Sequence, residues 1–315
     1  MIINSHVHVN TSQDYFFYND YGLTRFLKEM QKSDIDIAFP ALNPKLNIFR
    51  CPLDCSMNCQ IVQKRNDNLN NCNCNHPNRH RIGIVQENGK LVIRCKTCSK
   101  KILTSKVDPL HRHNVDLINI TKPYRSMIRP LIYISLCEST IQSEIDFFEE
   151  KYSNDFVGFK LHPWNDQVSV ANFKIHTSKP ILIHTGLREL ESPKNAATFA
   201  EHNPEIKVVI AHAAALDEEI LKQISRMDNV FIDCCPSVFM YQAKASSLYH
   251  PQEILSPEDI YYKVLDFLPS NKILFGTDSP WGNSEQELAV VRKLKISESI
   301  RNQILFKNAV KLYLK

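Results

Sequence analysis

Residues 3 to 8 read INSHVH, which places two histidines one residue apart in an apolar run near the start of the chain. In a β-strand alternate side chains share a face, so His6 and His8 project together while Val7 turns away. Two imidazoles side by side make half of a metal site for a first-row divalent cation. Other short apolar runs end in residues of the same kind: Lys160 and His162 in GFKLHP, His184 in ILIHTG, His212 in VVIAHAA and Asp278 in ILFGTDSPW. A single histidine ending a buried strand is ordinarily a satisfied structural residue. Four strands ending this way argue for shared chemistry.

The elements that must position these residues follow from periodicity. Strands are predicted at 2–8, 35–41, 129–136, 156–161, 180–184, 207–212, 229–233 and 272–277, because each is a short apolar, β-prone run bounded by polar or turn residues. Helices are predicted between them at 22–32, 111–126, 140–152, 167–178, 193–203, 216–227, 257–268 and 284–294, with a last one at 297–313. Ser192 and Pro193 mark one helix start, as N-cap and first helical residue. Eight strands each followed by a helix predict an α/β protein, a (β/α)8 barrel whose site is built at the C-terminal strand ends. The alternative is an open doubly wound sheet, but no glycine-rich phosphate turn follows the first strand, and the chain has only seven glycines.

The chain has 315 residues, 43% apolar and 23% charged, enough for one large core. Basic and acidic side chains number 38 and 34, for a formal charge of +4, so nothing global calls for nucleic acid or a membrane surface. The apolar runs are far shorter than the roughly 20 residues of a membrane span, and the N-terminus lacks a basic-then-apolar leader. A cytoplasmic enzyme acting on a small molecule is expected, with a homo-oligomer left open.

The motifs INSHVH, GFKLHP, ILIHTG, VVIAHAA and ILFGTDSPW, in this order, resemble the amidohydrolase superfamily, and within it the amidohydrolase-related branch that includes aminocarboxymuconate semialdehyde decarboxylase. The resemblance covers essentially the whole chain outside its cysteine-rich part. It implies a divalent metal in the barrel, Zn²⁺ foremost and Mn²⁺ or Fe²⁺ otherwise, held by His6, His8, His184 and Asp278. Such an ion lowers the pKa of bound water toward about 7 and so supplies a nucleophile at neutral pH. Asp278 is then ligand and proton acceptor. His212 is a general acid or base, or a ligand if there are two ions, and Lys160 is a pocket cation or, once carboxylated, a bridge between two ions. His162, Trp164, Arg188 and Trp281 are expected to line the substrate pocket, although packing or solvation accounts equally well for Arg188 and both tryptophans. The family usually has Asp where this chain has Asn4. The expected reaction is hydrolysis of an ester, amide, lactone or phosphoester. The alternative is metal-dependent, non-hydrolytic decarboxylation of a small carboxylic acid.

Seven of the ten cysteines lie between Cys51 and Cys98. They define an inserted module, 44–108, that divides the barrel into 1–43 and 109–315. With no leader, metal ligation by thiolates is the better reading than disulfides. Cys72, Cys74, Cys95 and Cys98 outline a zinc ribbon, with ENGK as the turn of a hairpin. Cys51, Cys55 and Cys59 could bind a second structural zinc with His76 or His80. The basic stretches HPNRHR and CKTCSKK support a second alternative function, a barrel scaffold whose ribbon binds a protein or nucleic acid.

Overall fold

The computed structural model describes residues 1–9, 22–42, 82–87, 90–95, 101–106, 110–136, 141–166, 168–238, 240 and 256–314. Eight parallel strands form one sheet: β1 (Ile3–Val9), β2 (Ile37–Leu42), β6 (Leu131–Tyr133), β7 (Gly158–Leu161), β8 (Ile181–Ile183), β9 (Val208–Ile210), β10 (Val230–Asp233) and β11 (Ile273–Leu274), in that spatial order. The sheet returns on itself through hydrogen bonds from Ser5 N to the Phe275 carbonyl (2.9 Å), Thr277 N to the His6 carbonyl (3.0 Å) and His8 N to the Ser279 carbonyl (2.8 Å). All eight predicted strands are present, and the architecture is the (β/α)8 barrel. The last is shorter than expected, because only Ile273 and Leu274 lie in the ladder with β10.

Period-2 alternation decides which side chains enter the barrel. Leu182, Val209, Phe231 and Leu274 pack in one cluster with Ile3, Phe39 and Leu131, whereas Ile181, Ile183, Val208, Ile210, Val230 and Ile232 pack in another with helix residues such as Phe148, Phe199, Leu221 and Val264. Counting two residues on from the inward set reaches His184 after Leu182 and Asp233 after Phe231. Lys160 has the opposite parity to Phe159 and Leu161, which join the outer cluster. Tyr313 joins the inner cluster, its ring 4.9 Å from that of Phe39, so the C-terminal helix packs against this layer.

Between the strands run α1 (Leu23–Lys32), α2 (Leu110–Thr121), α3 (Ile141–Tyr152), α4 (Pro163–Asp166), α5 (Pro193–His202), α6 (Glu218–Ser225), α7 (Pro257–Phe267), α8 (Ser284–Lys293), α9 (Glu298–Asn302) and α10 (Asn308–Tyr313). Four expectations need correction. The predicted helix 167–178 is absent from 168–178, which turns irregularly behind the one-turn α4. Its backbone finds partners on α5 instead: Asn203 accepts from Ile175 N and donates to the Phe173 carbonyl. Helix α2 ends at Thr121 and passes into a 3₁₀ turn at Lys122–Tyr124 that carries Pro123. Ser192 and Pro193 do start α5, but the Ser192 hydroxyl caps nothing. The predicted last helix is interrupted by a π turn at Gln303–Lys307.

Within the inserted module, β3 (Ile82–Glu87) and β4 (Lys90–Cys95) pair antiparallel, and β5 (Lys101–Lys106) adds a third strand. Glu87 pairs with Lys90 at the end of the ladder, where the hairpin turn is expected; Asn88 and Gly89 lie outside the described residues. The sequence reading had missed β5. Cys95 ends β4 opposite Ile82. Cys51, Cys55, Cys59, Cys72, Cys74, His76, His80 and Cys98 lie outside the described residues.

Candidate metal centre and its histidine row

His6 sits where β1 breaks register with β2, between Asn4 and Val7, and His8 pairs with Ala41 just beyond the break. Each has one ring nitrogen committed. His8 Nδ1 lies 3.0 Å from the Leu42 carbonyl and His6 Nδ1 lies 3.0 Å from Asp233 Oδ2, and both oxygens only accept. A hydrogen on each Nδ1 satisfies these oxygens and leaves the Nε2 atoms facing the site. They converge on Asp278 Oδ1, at 3.1 Å from His8 and 3.4 Å from His6. Burial alone would raise the Asp278 pKa, but the neighbouring imidazoles of His6, His8 and His212 outweigh it and hold the carboxyl well below the usual range. Three buried ligand atoms facing one another are an arrangement that could hold a divalent cation.

Lys160 is the cation within the chain that approaches this cluster. Its Nζ donates to His6 Nε2 at 2.9 Å, with the side chain fully buried. Burial lowers its pKa to about 8, against the opposing pull of Asp278 and Asp233. Burial, then the Lys160 charge, keeps His6 well below its ordinary value and therefore neutral. Among the described residues a second triplet, His6, His212 and Asp233, also brings its ligand atoms within 4.8 Å, as does His6, His8 and Asp278. The two triplets share His6, and in the second the Nδ1 of His6 already bonds Asp233.

His212 and Asp278 both occupy left-handed backbone, with φ of 59° and 52°. Ala213, Ala214, Ala215 and Leu216 continue the same conformation after β9, at a cost of about 1–2 kcal/mol for each such residue. The turn is held by Asp233 Oδ1, which accepts from His212 N at 3.1 Å, and by the Thr185 hydroxyl, which donates to the Ala211 carbonyl at 2.6 Å. His212 Nδ1 donates to the Cys235 carbonyl at 2.6 Å. Burial lowers the His212 pKa to about 4, with His184 adding to the effect. Its Nε2 lies 2.9 Å from His184 Nδ1, and the His184 ring stacks on that of His162 at 3.8 Å between centroids. Burial and then His184 keep His162 well below its ordinary pKa.

The expected ligand set is thus only partly drawn together. His6, His8 and Asp278 converge, whereas the hydrogen bonds of His184 run to His212 and toward Glu191. Arg188 lies over the Trp164 ring at 4.0 Å, pairing two of the expected pocket residues. Trp281 follows Asp278 and is half-buried, its N–H donating to the Asp278 carbonyl. Asn4 has a definite task. Its amide donates to Thr277 Oγ1 (2.8 Å) and accepts from Thr277 N and His6 N, which ties the histidine strand to the Asp278 segment. A carboxylate could only accept, so the amide suits this position.

Asp233 and Glu287 were missed by sequence reading. Asp233 ends the apolar run VFID, a strand end of the same kind as those that singled out Lys160 and His184. Glu287, on α8, accepts from Ser237 N, Ser237 Oγ and Val238 N and thereby fixes the segment after Cys235. Burial raises its pKa to about 7 despite these donors. An acid with a raised folded pKa holds a proton that the unfolded chain releases above pH 4.5, so stability falls as pH rises from about 4.5 to 7 and is flat beyond. Glu287→Gln is expected to remove about 2–3 kcal/mol of this pH dependence. Urea denaturation at pH 5 and pH 7 measures it; equal slopes in both proteins would contradict the assignment.

No curated protein sequence matches the chain. Residues 176–315 match the amidohydrolase family model. Among solved structures, a dihydroxybenzoic acid decarboxylase from Polaromonas sp. JS666, with bound manganese and the inhibitor 2-nitroresorcinol, is similar at 11% identity and TM-score 0.62, over 99% of this chain and 96% of that one. The 5-carboxyvanillate decarboxylase of Sphingomonas paucimobilis is similar at 11% identity and TM-score 0.59, over 99% and 98%. A probable 2-pyrone-4,6-dicarboxylic acid hydrolase from Acinetobacter baumannii, with citric acid bound, is similar at 10% identity and TM-score 0.57, over 100% and 99%. Residues 176–315 thus carry the sequence pattern of the amidohydrolase family model, and the whole chain shares the fold of these solved structures.

Proposed function

We propose that this chain is a metal-dependent hydrolase of a small molecule, with one divalent cation held by His6, His8 and Asp278. The observation that carries this reading is the convergence of their buried ligand atoms, each ring already oriented by a partner at its Nδ1. One ion is proposed because the second triplet reuses His6. When bound, the ion supplies Lewis acidity and a nucleophile at neutral pH. The protein's own residues do the rest. Asp278 holds the cation and accepts a proton at its carboxylate. His212, neutral with a bare Nε2, takes or returns a proton beside it. The Lys160 ammonium stabilises negative charge developing near His6. His162, Trp164, Arg188 and Trp281 bind and orient the substrate.

A second reading, non-hydrolytic decarboxylation, is supported by the decarboxylases among the similar structures and by the buried Lys160 cation, which would hold a substrate carboxylate equally well. Metal-reconstituted protein assayed against lactones, amides, esters and phosphoesters, and in parallel against hydroxybenzoic acids with CO₂ release measured, separates the two. Turnover in neither panel, with the metal bound, sinks both.

We further propose that Cys72, Cys74, Cys95 and Cys98 hold a structural zinc, and that Cys51, Cys55 and Cys59 hold a second one with His76 or His80. Apparent binding energies of about 10–16 kcal/mol offset the ordering entropy of a segment poor in large apolar residues. Cys95→Ser with Cys98→Ser is expected to release one equivalent of zinc and expose the insert to protease, while the barrel unfolds cooperatively as before. Unchanged zinc content would rule the ribbon out.

A further inference from the structure

The seam where β1 meets the Asp278 segment holds a row of buried polar side chains that the proposed reaction does not use. Asn4, Thr277 and Ser279 are 0% exposed, and Ser284, at the start of α8, is 1% exposed. Asn4 Nδ2 lies 2.8 Å from Thr277 Oγ1, Thr277 Oγ1 lies 3.0 Å from Ser279 Oγ, and Ser279 Oγ lies 2.8 Å from Glu29 Oε1. Glu29 is half-buried on α1, and its Oε1 also accepts from the Ser284 hydroxyl. The row thus runs in single file from the strand that carries His6 and His8 to a helix packed outside the sheet. Thr277 and Ser279 flank Asp278 directly, and the Ser279 carbonyl accepts from His8 N at 2.8 Å.

The hydrogens of this row follow from its two ends. Asn4 Oδ1 faces two backbone donors, Thr277 N at 3.2 Å and His6 N at 3.3 Å, so Nδ2 is the atom turned toward the Thr277 hydroxyl. Thr277 Oγ1 therefore accepts from Asn4. At the other end Glu29 takes the single hydrogen of Ser279, which leaves Ser279 Oγ as an acceptor toward Thr277. The Thr277 hydrogen fills that contact. Every link points the same way, from amide through two hydroxyls to carboxylate. An acceptor at both ends would set two buried oxygens against each other with no hydrogen between them, which is costly.

We propose that Glu29 is a positioning residue for the metal centre: through Ser279 and Thr277 it fixes the direction of this relay, and the relay holds the Asp278 turn in place against His6 and His8. Asp278 occupies left-handed backbone, with φ 52°, a conformation that persists where surrounding bonds enforce it. The relay supplies such bonds on both sides of Asp278. Asn4 is then the counterpart of Glu29, the donor end matched to the acceptor end. The inference rests on the metal centre proposed above, whereas the direction of the relay does not.

The test is Mn²⁺ titration of full-length protein, read by electron spin resonance of the free ion, with urea denaturation of the metal-free form alongside. Asn4→Asp puts an acceptor at both ends and is expected to weaken Mn²⁺ binding by about 10–100-fold. Glu29→Gln alone keeps an acceptor oxygen for both serines, so affinity close to wild type is expected. Added to Asn4→Asp, it is expected to restore binding, because its two amide hydrogens serve Ser279 and Ser284 and every link then points the other way. Asn4→Asp with Glu29→Met removes the same charge but offers no hydrogen, and should stay weak. Wild-type affinity in Asn4→Asp, no rescue by glutamine, or rescue by methionine as full as by glutamine overturns the proposal. If Asn4→Asp does not fold, recovery of folded, Mn²⁺-binding protein in the double variant with glutamine supports the proposal, and its absence overturns it. Wild-type protein that binds no Mn²⁺ overturns the metal centre, and this role of Glu29 with it, while the denaturation midpoints of the same variants still read the direction of the relay.

Discussion

Asp278→Asn is expected to lower turnover by about 10²–10⁴-fold while leaving the fold intact. Asp278 occupies left-handed backbone, with φ 52°, which asparagine tolerates well, so the local chain conformation survives the exchange. The amide matches the carboxylate in shape but removes the negative charge facing His6 Nε2 and His8 Nε2, and it cannot accept a proton. Both losses fall on the reacting centre, whereas the backbone bonds from Asp278 N to the His6 carbonyl and from Trp281 N to the Asp278 carbonyl persist. Steady-state kinetics on metal-analysed protein, with thermal unfolding as the control, measures the effect. A loss below tenfold in protein that retains its metal would remove Asp278 from the mechanism.

Asp233→Ala is expected to have the second-largest effect, a drop of about 10- to 100-fold in divalent-metal affinity. Asp233 is fully buried, and its two oxygens serve different partners: Oδ2 holds His6 Nδ1, while Oδ1 takes His212 N at 3.1 Å and Cys235 N at 3.3 Å. Removing it frees the His6 ring to exchange tautomers and slackens the strained turn that carries His212. A stability loss of about 2–3 kcal/mol should accompany this, because buried N–H groups lose their acceptor. Mn²⁺ titration and urea denaturation read the two effects separately. Lost stability with unchanged Mn²⁺ affinity would make Asp233 a packing residue only.

What the sequence made legible, and what it hid, has physical causes. The strands were readable because buried parallel strands are short, β-branched runs, and their ends then placed Lys160, His184 and Asp278 at one end of the barrel. Asp233 also ends such a run and was passed over because its neighbours Cys234 and Cys235 read as core. Glu29 and Glu287 could not be seen, since one reaches Ser279 from α1 and the other reaches Ser237 from a different strand–helix unit. The segment 168–178 was expected to be the helix of its strand–helix unit, but its backbone finds partners on Asn203, nearly 30 residues on. The family's usual Asp is replaced by Asn4, whose worth becomes clear only when Thr277 is found across the barrel seam.

The most direct test of the central claim is metal content, by elemental analysis, in wild type, His8→Ala and the Cys95, Cys98 double serine variant, each loaded with zinc or manganese and dialysed. His8 contributes an Nε2 fixed by its bond to the Leu42 carbonyl and has no part in the insert. The account predicts that His8→Ala loses one equivalent of metal and all turnover while keeping the zinc that the double variant releases. An unchanged metal stoichiometry in folded His8→Ala protein, or turnover persisting without the ion, would contradict a metal centre built on His6, His8 and Asp278.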